Sequence, residues 1–181
     1  MTAVALDPAV SGPPRWAVRA AHAAALVTLP TGIWRLLLAT GHTAGYTDAG
    51  YGAMGFTGWG AVYVVGLSVA GEALALLTLG LVRPWGEVLP RWIPLLGGRR
   101  VRPMAAVVPA GLAALALTVL WTPFLAWWAL PHPHMTVLGQ TLVGFLYLPL
   151  VAWGPLLGAV TVSYHRRRRA VRPELAGVAP S

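Results

Sequence analysis

The residue best placed to do chemistry in this chain is Glu72, the only charged side chain in the long apolar stretch 59–82. In an α-helix that rises about 1.5 Å per residue, Glu72 lies roughly 15 Å from the end of the stretch at Val82, near the middle of a membrane. An ionisable residue at that depth is costly and is therefore a candidate for function. Two interpretations follow. Glu72 exchanges a proton or cation in a small transporter, or it forms hydrogen bonds that fix the register of neighbouring helices.

Two further ionisable residues, His22 and Arg35, lie in the apolar stretch 16–39. By the same rise, His22 is roughly 9 Å inside the stretch, close enough in depth to contact Glu72 if the two helices are neighbours. Arg35 lies roughly 28 Å along its stretch, where it can extend to the outer interface beside Trp34. A direct ion pair between Arg35 and Glu72 would have to close a depth difference of about 13 Å, which straight helices do not allow.

Two histidines, His132 and His134, form the only other pattern that suggests a ligand, in the segment Pro-His-Pro-His-Met at 131–135. Imidazole and thioether groups suit copper or zinc, and His42 and Met54 would add ligands from another loop. The signal is weak, because exposed histidines are common and the flanking prolines hold the segment extended.

No pattern in the sequence predicts a catalytic site or a bound cofactor. The chain has no zinc-protease motif, no phosphate-binding glycine loop with lysine, and no serine in a nucleophile-elbow context. It also has no cysteine, which excludes disulfides and thiolate ligands. We therefore expect a non-enzymatic protein without a cofactor.

The elements that position these residues are four apolar stretches. Hydrophobic residues make up 57% of the 181 residues and charged residues 10%, against about 25% charged in soluble domains. A membrane-spanning helix needs about 20 mainly apolar residues, and the stretches that qualify are 16–39, 59–82, 104–128 and 138–164. They predict an all-α, up-down-up-down bundle of four transmembrane helices, with kinks at the internal prolines. A cleaved signal peptide is the alternative for the first stretch, but its length and the acidic, proline-containing segment before it favour a retained helix.

The arginines predict the orientation of the bundle. All 13 basic residues are arginine, and 12 of them fall at the same end of the spans, with Arg35 as the exception. Cytoplasmic loops hold an excess of basic residues, so both termini are predicted to be cytoplasmic in a multi-pass protein of the plasma membrane. Because the arginines lie at the ends of apolar stretches, we expect no nucleic-acid binding.

The predicted inner loop, 83–100, is both basic and rich in apolar residues. We expect it to fold against the membrane surface, where anionic lipid attracts each arginine by about 1 kcal/mol. The alternative is that its arginines only fix topology. The candidate residues for binding lipid headgroups or a protein partner are Arg83, Trp85, Arg91, Trp92, Arg99 and Arg100. Residues 1–14 and the basic segment 166–181 are predicted to be flexible tails.

Small residues four apart predict close helix contacts. Gly154 and Gly158 form one such pair, and Gly66 and Ala70 form another. The pairs fit either ordinary packing inside the bundle or contact with a membrane protein partner or a second copy. The first outer loop, about 40–58, is glycine-rich, and its sequence does not decide whether it covers the bundle.

Segments 29–35, 66–72, 83–100, 141–144 and 147–149 together resemble a family of uncharacterised actinobacterial four-span integral membrane proteins. The resemblance implies a four-helix membrane domain at about 15–165 and supplies no activity. We expect an accessory, scaffold or lipid-binding protein. The alternative is a small proton-coupled transporter or channel-forming oligomer that uses Glu72, and a membrane metalloenzyme built on the outer histidines is a third hypothesis.

Overall fold

The computed structural model describes residues 12–83 and 103–177, with side chains described as far as residue 169. These residues form helices joined by turns and loops, and four helical segments are long and apolar enough to cross a membrane. The candidate spans are Arg15–Ala39, Trp59–Gly80, Pro103–Ala129 and Val137–Arg169. The prediction of an all-α bundle with four apolar helices is confirmed.

Seven α-helices and two 3₁₀ segments make up the described fold. In chain order they are α1 (Arg15–Leu26), α2 (Leu29–Ala39), α3 (Asp48–Met54), α4 (Trp59–Gly80), α5 (Pro103–Trp121), a 3₁₀ segment (Thr122–Ala129), α6 (Val137–Tyr147), a second 3₁₀ segment (Leu148–Ala152) and α7 (Trp153–Gly177). The first, third and fourth spans are therefore each built from more than one helical piece.

Prolines explain three of these breaks. Pro30, Pro123 and Pro149 each stand at the start of a new helical piece. Proline has no N–H group and its ring crowds the preceding turn, so an α-helix is interrupted there. At the first break the Thr28 hydroxyl donates to the Ala25 carbonyl at 3.0 Å.

The spans do not pack in sequence order. The first span lies in the middle, where α1 packs against both α4 and α7 and α2 packs against α4 and α6. The α5 helix packs mainly on α7, and among the described residues α4 and α5 make few contacts with each other. The second and third spans therefore lie on opposite flanks.

Small residues allow the closest of these contacts. Ala17, Ala21 and Ala24 are fully buried on one face of α1, in the same core as Tyr164 of α7. A Cβ atom at Gly154 would collide with the backbone of α5 at Ala114 and Thr118, so this glycine is needed for the α5–α7 contact. The Gly154 and Gly158 pair thus serves packing inside the bundle, whereas a Cβ at Gly66 would meet open space.

The α7 helix continues past the predicted end of the membrane domain. Residues 166–181 were expected to be a disordered basic tail, but α7 is helical as far as Gly177. Arginine is a good helix former, and Arg167 Nη2 donates to the Leu81 carbonyl at 2.8 Å. That carbonyl belongs to the end of α4, where backbone acceptors lack partners within their own helix. Residues 1–11 of the predicted N-terminal tail lie outside the described residues.

The two outer loops, 40–58 and 130–136, join into one element that we call the cap. Tyr46 and Met135 form an antiparallel bridge, flanked by hydrogen bonds from the Thr47 N–H to the His134 carbonyl and from the Thr136 N–H to the Gly45 carbonyl, both 3.0 Å long. The first outer loop therefore covers the bundle. Each threonine also caps the helix that follows, because its side chain accepts an N–H from three residues later.

Replacing Gly139 by alanine is expected to destabilise the protein. The new Cβ would overlap the Gly45 carbonyl oxygen, which is backbone and cannot move aside as a flexible side chain can. Overpacking of this kind costs about 1–3 kcal/mol, so thermal unfolding in detergent, followed by tryptophan fluorescence, should show a lower Tm. Gly111→Ala is the matched control, because Gly111 lies in α5 with open space at the Cβ position. Equal Tm values for the two variants would contradict the close approach.

Candidate functional site

Polar side chains form a continuous stripe between the first and second spans, which we call the polar seam. Its members are Thr28, Thr31 and Arg35 from the first span and Ser68 and Glu72 from α4. The spacings of three, four and four residues place each set on one face of its helix. Because the two helices run in opposite directions, Thr28 meets Glu72 and Arg35 meets Ser68.

The outer half of the polar seam is centred on Arg35, which is only 9% exposed. Its Nε donates to the Ser68 hydroxyl oxygen at 2.9 Å, and the Ser68 hydroxyl donates to the Val64 carbonyl at 3.0 Å. The side chain also interacts with the Tyr147 hydroxyl from the fourth span. Arg35 was expected to extend to the outer interface beside Trp34. The structure instead buries it, since its face of α2 packs against α4.

The inner half of the polar seam is centred on Glu72. Its Oε2 atom lies 2.9 Å from the Thr28 hydroxyl oxygen. Its Oε1 atom is buried and has no hydrogen-bond partner among the described residues. A Cβ atom added at Gly32 would lie 3.0 Å from Oε1, so a glycine provides the space in which the carboxyl group sits.

The ionised and the neutral forms of the Glu72 carboxyl group differ in which hydrogen bonds the Thr28 hydroxyl can make. The Thr28 hydroxyl has a single proton, yet its oxygen lies within hydrogen-bond distance of both the Ala25 carbonyl and Glu72 Oε2. If the carboxyl is ionised, Thr28 can satisfy only one of these acceptors. If the carboxyl carries a proton on Oε2, it donates to Thr28, and Thr28 donates to the Ala25 carbonyl. The neutral carboxyl therefore satisfies both contacts at once.

His22 lies outside the polar seam. Its Nδ1 is 2.7 Å from the Val18 carbonyl, one turn earlier in α1. The proposed contact between His22 and Glu72 is not made, because Glu72 lies at the depth of Thr28, six residues further along the span. Arg35 and Glu72 bond to different residues, in agreement with the prediction that they form no direct ion pair.

An aromatic cluster covers the outer end of the polar seam. Tyr147 is its centre, with ring centroids 5.5 Å from both Trp34 and Phe124. Trp34 continues the cluster towards the cap, where its Nε1 donates to the Ala44 carbonyl at 2.9 Å and its ring lies 6.1 Å from that of Tyr46. Burial, and to a smaller extent the neighbouring Tyr147, raises the pKa of Tyr46 above its ordinary value. The tyrosine therefore stays neutral over the physiological pH range.

The predicted metal ligands His132 and His134 lie in the cap. The His132 ring packs 3.7 Å from the Trp127 ring, centroid to centroid, and the His134 carbonyl accepts the Thr47 N–H. Within residues 12–83 and 103–169, no three His, Cys, Asp or Glu side chains are grouped so that they could hold a metal ion. The metal hypothesis gains no support from this geometry.

The predicted inner-loop site is only partly described. Arg83 is exposed at the end of α4. The other five candidates, Trp85, Arg91, Trp92, Arg99 and Arg100, lie outside the described residues.

Sequence reasoning identified two members of the polar seam, Arg35 and Glu72, but missed their partners. Thr28 and Gly32 were not recognised, although Thr28, Thr31 and Arg35 recur at helical spacing in an otherwise apolar stretch. Tyr147 was also missed as a neighbour of Arg35. No pattern within the fourth span distinguishes Tyr147 from an ordinary interfacial aromatic residue.

Searches against protein-family models, curated proteins and solved structures find no match for this chain. The resemblance to the actinobacterial four-span family therefore stays a prediction. The class of protein that the fold defines is a four-helix protein of membrane-spanning type, and its site must be interpreted from its own geometry.

Glu72→Gln is expected to keep the stability of the protein, because the amide N–H₂ can donate to Thr28 as the neutral carboxyl does. Thr28→Val removes the hydroxyl that contacts both the Ala25 carbonyl and Glu72, and we expect it to lose about 1–3 kcal/mol. Thermal unfolding in detergent measures both.

The matched control is Thr141→Val, whose hydroxyl bonds only the Val137 carbonyl of its own helix. A Glu72→Gln variant less stable than Thr28→Val would contradict the hydrogen-bonding arrangement in which residue 72 donates to Thr28.

Proposed function

We propose that this chain is a non-enzymatic accessory protein of the membrane, which acts by binding other membrane components. The observation that carries this proposal is the division between polar side chains, which contact other helices of the chain, and apolar side chains, which face outwards. The polar groups between the first two spans bond helices to each other, whereas large apolar faces point outwards. Only 22% of the most apolar part of the second span and 11% of that of the third are buried within the chain.

The outward faces support a binding role because they carry no reactive group. The α5 helix exposes Val108, Leu112, Leu115 and Val119 over several turns, each by about half or more of its surface. Such a surface fits lipid tails or the helices of a partner. It offers no nucleophile, acid or metal ligand that could carry out a reaction.

The proposal includes an orientation in the plasma membrane. The end of the bundle that carries Arg15, Arg19, Arg83 and Arg166 is named the basic end, and the cap lies at the opposite end. The excess of arginine at the basic end supports a cytoplasmic location for it and for both termini.

Because the sequence contains no cysteine, single introduced cysteines can test this orientation. We expect Ala53→Cys, on the exposed surface of the cap, to react with a membrane-impermeant maleimide in intact cells. Arg169→Cys, at the exposed end of the basic run, should react only after permeabilisation. The opposite pattern would reverse the proposed topology.

A second candidate function is proton-coupled transport by the monomer or by an oligomeric channel. The buried Oε1 of Glu72 favours it, since among the described residues this atom has no hydrogen-bond partner. Buried carboxyl groups within membrane spans are the residue type from which proton pathways are built.

Proton flux in proteoliposomes separates the two functions. The accessory role predicts that liposomes containing the wild-type protein are no more permeable to protons than protein-free liposomes, as followed with a trapped pH-sensitive dye. Flux that Glu72→Gln abolishes would replace the accessory role by transport. Thr141→Val is the control, because it is expected to change neither flux nor the polar seam.

A further inference from the structure

A groove runs along the surface at the basic end of the bundle, between the start of α1 and the last membrane turns of α7. Its volume is about 400 Å³, and it is lined by Pro14, Trp16, Ala159, Val162, Ser163, Arg166 and Arg167. Trp16 is 53% exposed and Val162 50% exposed. Large apolar surfaces of the groove are thus left for another molecule to cover.

The groove is amphipathic along its length. Ala159 and Val162 lie on the membrane side, one to two turns before the arginines of α7. Arg166 and Arg167 lie at the other end, at the level of Trp16 and Tyr164, where a membrane has its headgroups. A ligand that fills the groove must therefore be apolar at one end and anionic at the other.

The structure holds the cationic end of the groove in place. Arg167 Nη2 donates to the Leu81 carbonyl at 2.8 Å, and its guanidinium lies 5.9 Å from the centroid of the buried Tyr164 ring. Arg166, on the adjacent position of α7, is exposed. Two guanidinium groups at neighbouring positions, one of them fixed, suit the bidentate hydrogen bonding of a phosphate group.

The start of α1 adds a further attraction for an anion. No side chain caps the first turn of this 12-residue helix, and the first N–H groups of a helix have no acceptor within it. Their partial positive charge favours an anion nearby. Pro14 and Trp16 place that turn on the wall of the groove.

We propose that this groove binds one membrane phospholipid with a net negative headgroup. Its phosphate lies between Arg166 and Arg167, at the level of the Trp16 ring, and an acyl chain lies against Ala159 and Val162. The charge of the arginines selects an anionic over a zwitterionic headgroup, and the apolar floor selects a lipid over free phosphate. The inference deepens the proposed binding role, on which it rests, by naming the ligand class and its position.

Native mass spectrometry of the full chain released from nanodiscs of equimolar phosphatidylglycerol and phosphatidylcholine tests this site. The wild-type protein should retain phosphatidylglycerol in preference to phosphatidylcholine. Arg166→Gln should lower that retention about tenfold, because a charge-assisted bond to phosphate is lost. Val162→Trp should lower it as well, since it fills the groove without changing the charge.

Arg169→Gln is the matched control, because Arg169 is exposed on α7 but does not line the groove. Unchanged thermal unfolding of each variant confirms its fold. Equal loss in Arg166→Gln and Arg169→Gln would show general attraction to the basic run and overturn the site. Displacement of the lipid by excess inorganic phosphate would identify free phosphate as the ligand and also overturn it. Proton flux that depends on Glu72 would contradict the accessory role but would leave the lipid-binding results unchanged. The accessory role and the lipid site can therefore fail independently.

Discussion

The contact of Thr28 with Glu72 decides how the first two spans fit together. In the interior of a membrane a polar group has no water to bond, so it is satisfied by a neighbouring helix or by its own. At the break before Pro30 the Thr28 hydroxyl contacts both the Ala25 carbonyl of its own helix and Glu72 of the neighbouring one. Sliding α4 by one turn would separate both this contact and that between Arg35 and Ser68. Interhelical hydrogen bonds of this type contribute only about 0.6–2 kcal/mol each, but together they admit a single register.

The other helix contacts of the bundle depend on the size of the side chains that meet there. The α1 helix offers alanines to α7, and α7 offers Gly154 to α5. In a membrane, helices gain little from burying apolar surface and associate through close packing instead. Small residues therefore allow the close contacts of α1 with α7 and of α7 with α5. The flanking helices keep their outer faces apolar because lipid is their solvent.

The four spans followed from the sequence because about 20 apolar residues in a row have few other uses. The partners of Arg35 and Glu72 did not follow, since the depth of a residue does not say which face of its helix meets a neighbour. A threonine or a tyrosine in an apolar stretch can equally bond its own helix or face lipid. The helical basic segment was also missed, because a run of arginines has no apolar periodicity. Within this segment Arg167 contacts the end of α4, a residue 86 positions away in the chain. Local patterns carry no information about such contacts.

The two loops of the cap share a short sequence repeat, which determines the positions at which the loops can vary. The segments 45–50 and 134–139 each place a threonine third and a glycine sixth, and they pair around an approximate twofold axis through Tyr46 and Met135. The pairing bonds are between main-chain atoms, and the glycines are needed because a Cβ at Gly50 or Gly139 would overlap the opposite carbonyl. Gly45 is constrained as well, because its φ is +102° and an added Cβ would lie 2.6 Å from the Gly139 Cα. The pairing itself therefore constrains five of the twelve positions, and Tyr46 and Met135 are held by packing against the apolar cluster beneath the cap. The exposed side chains of these loops can change their chemistry while the connection between the two halves of the protein keeps the same geometry.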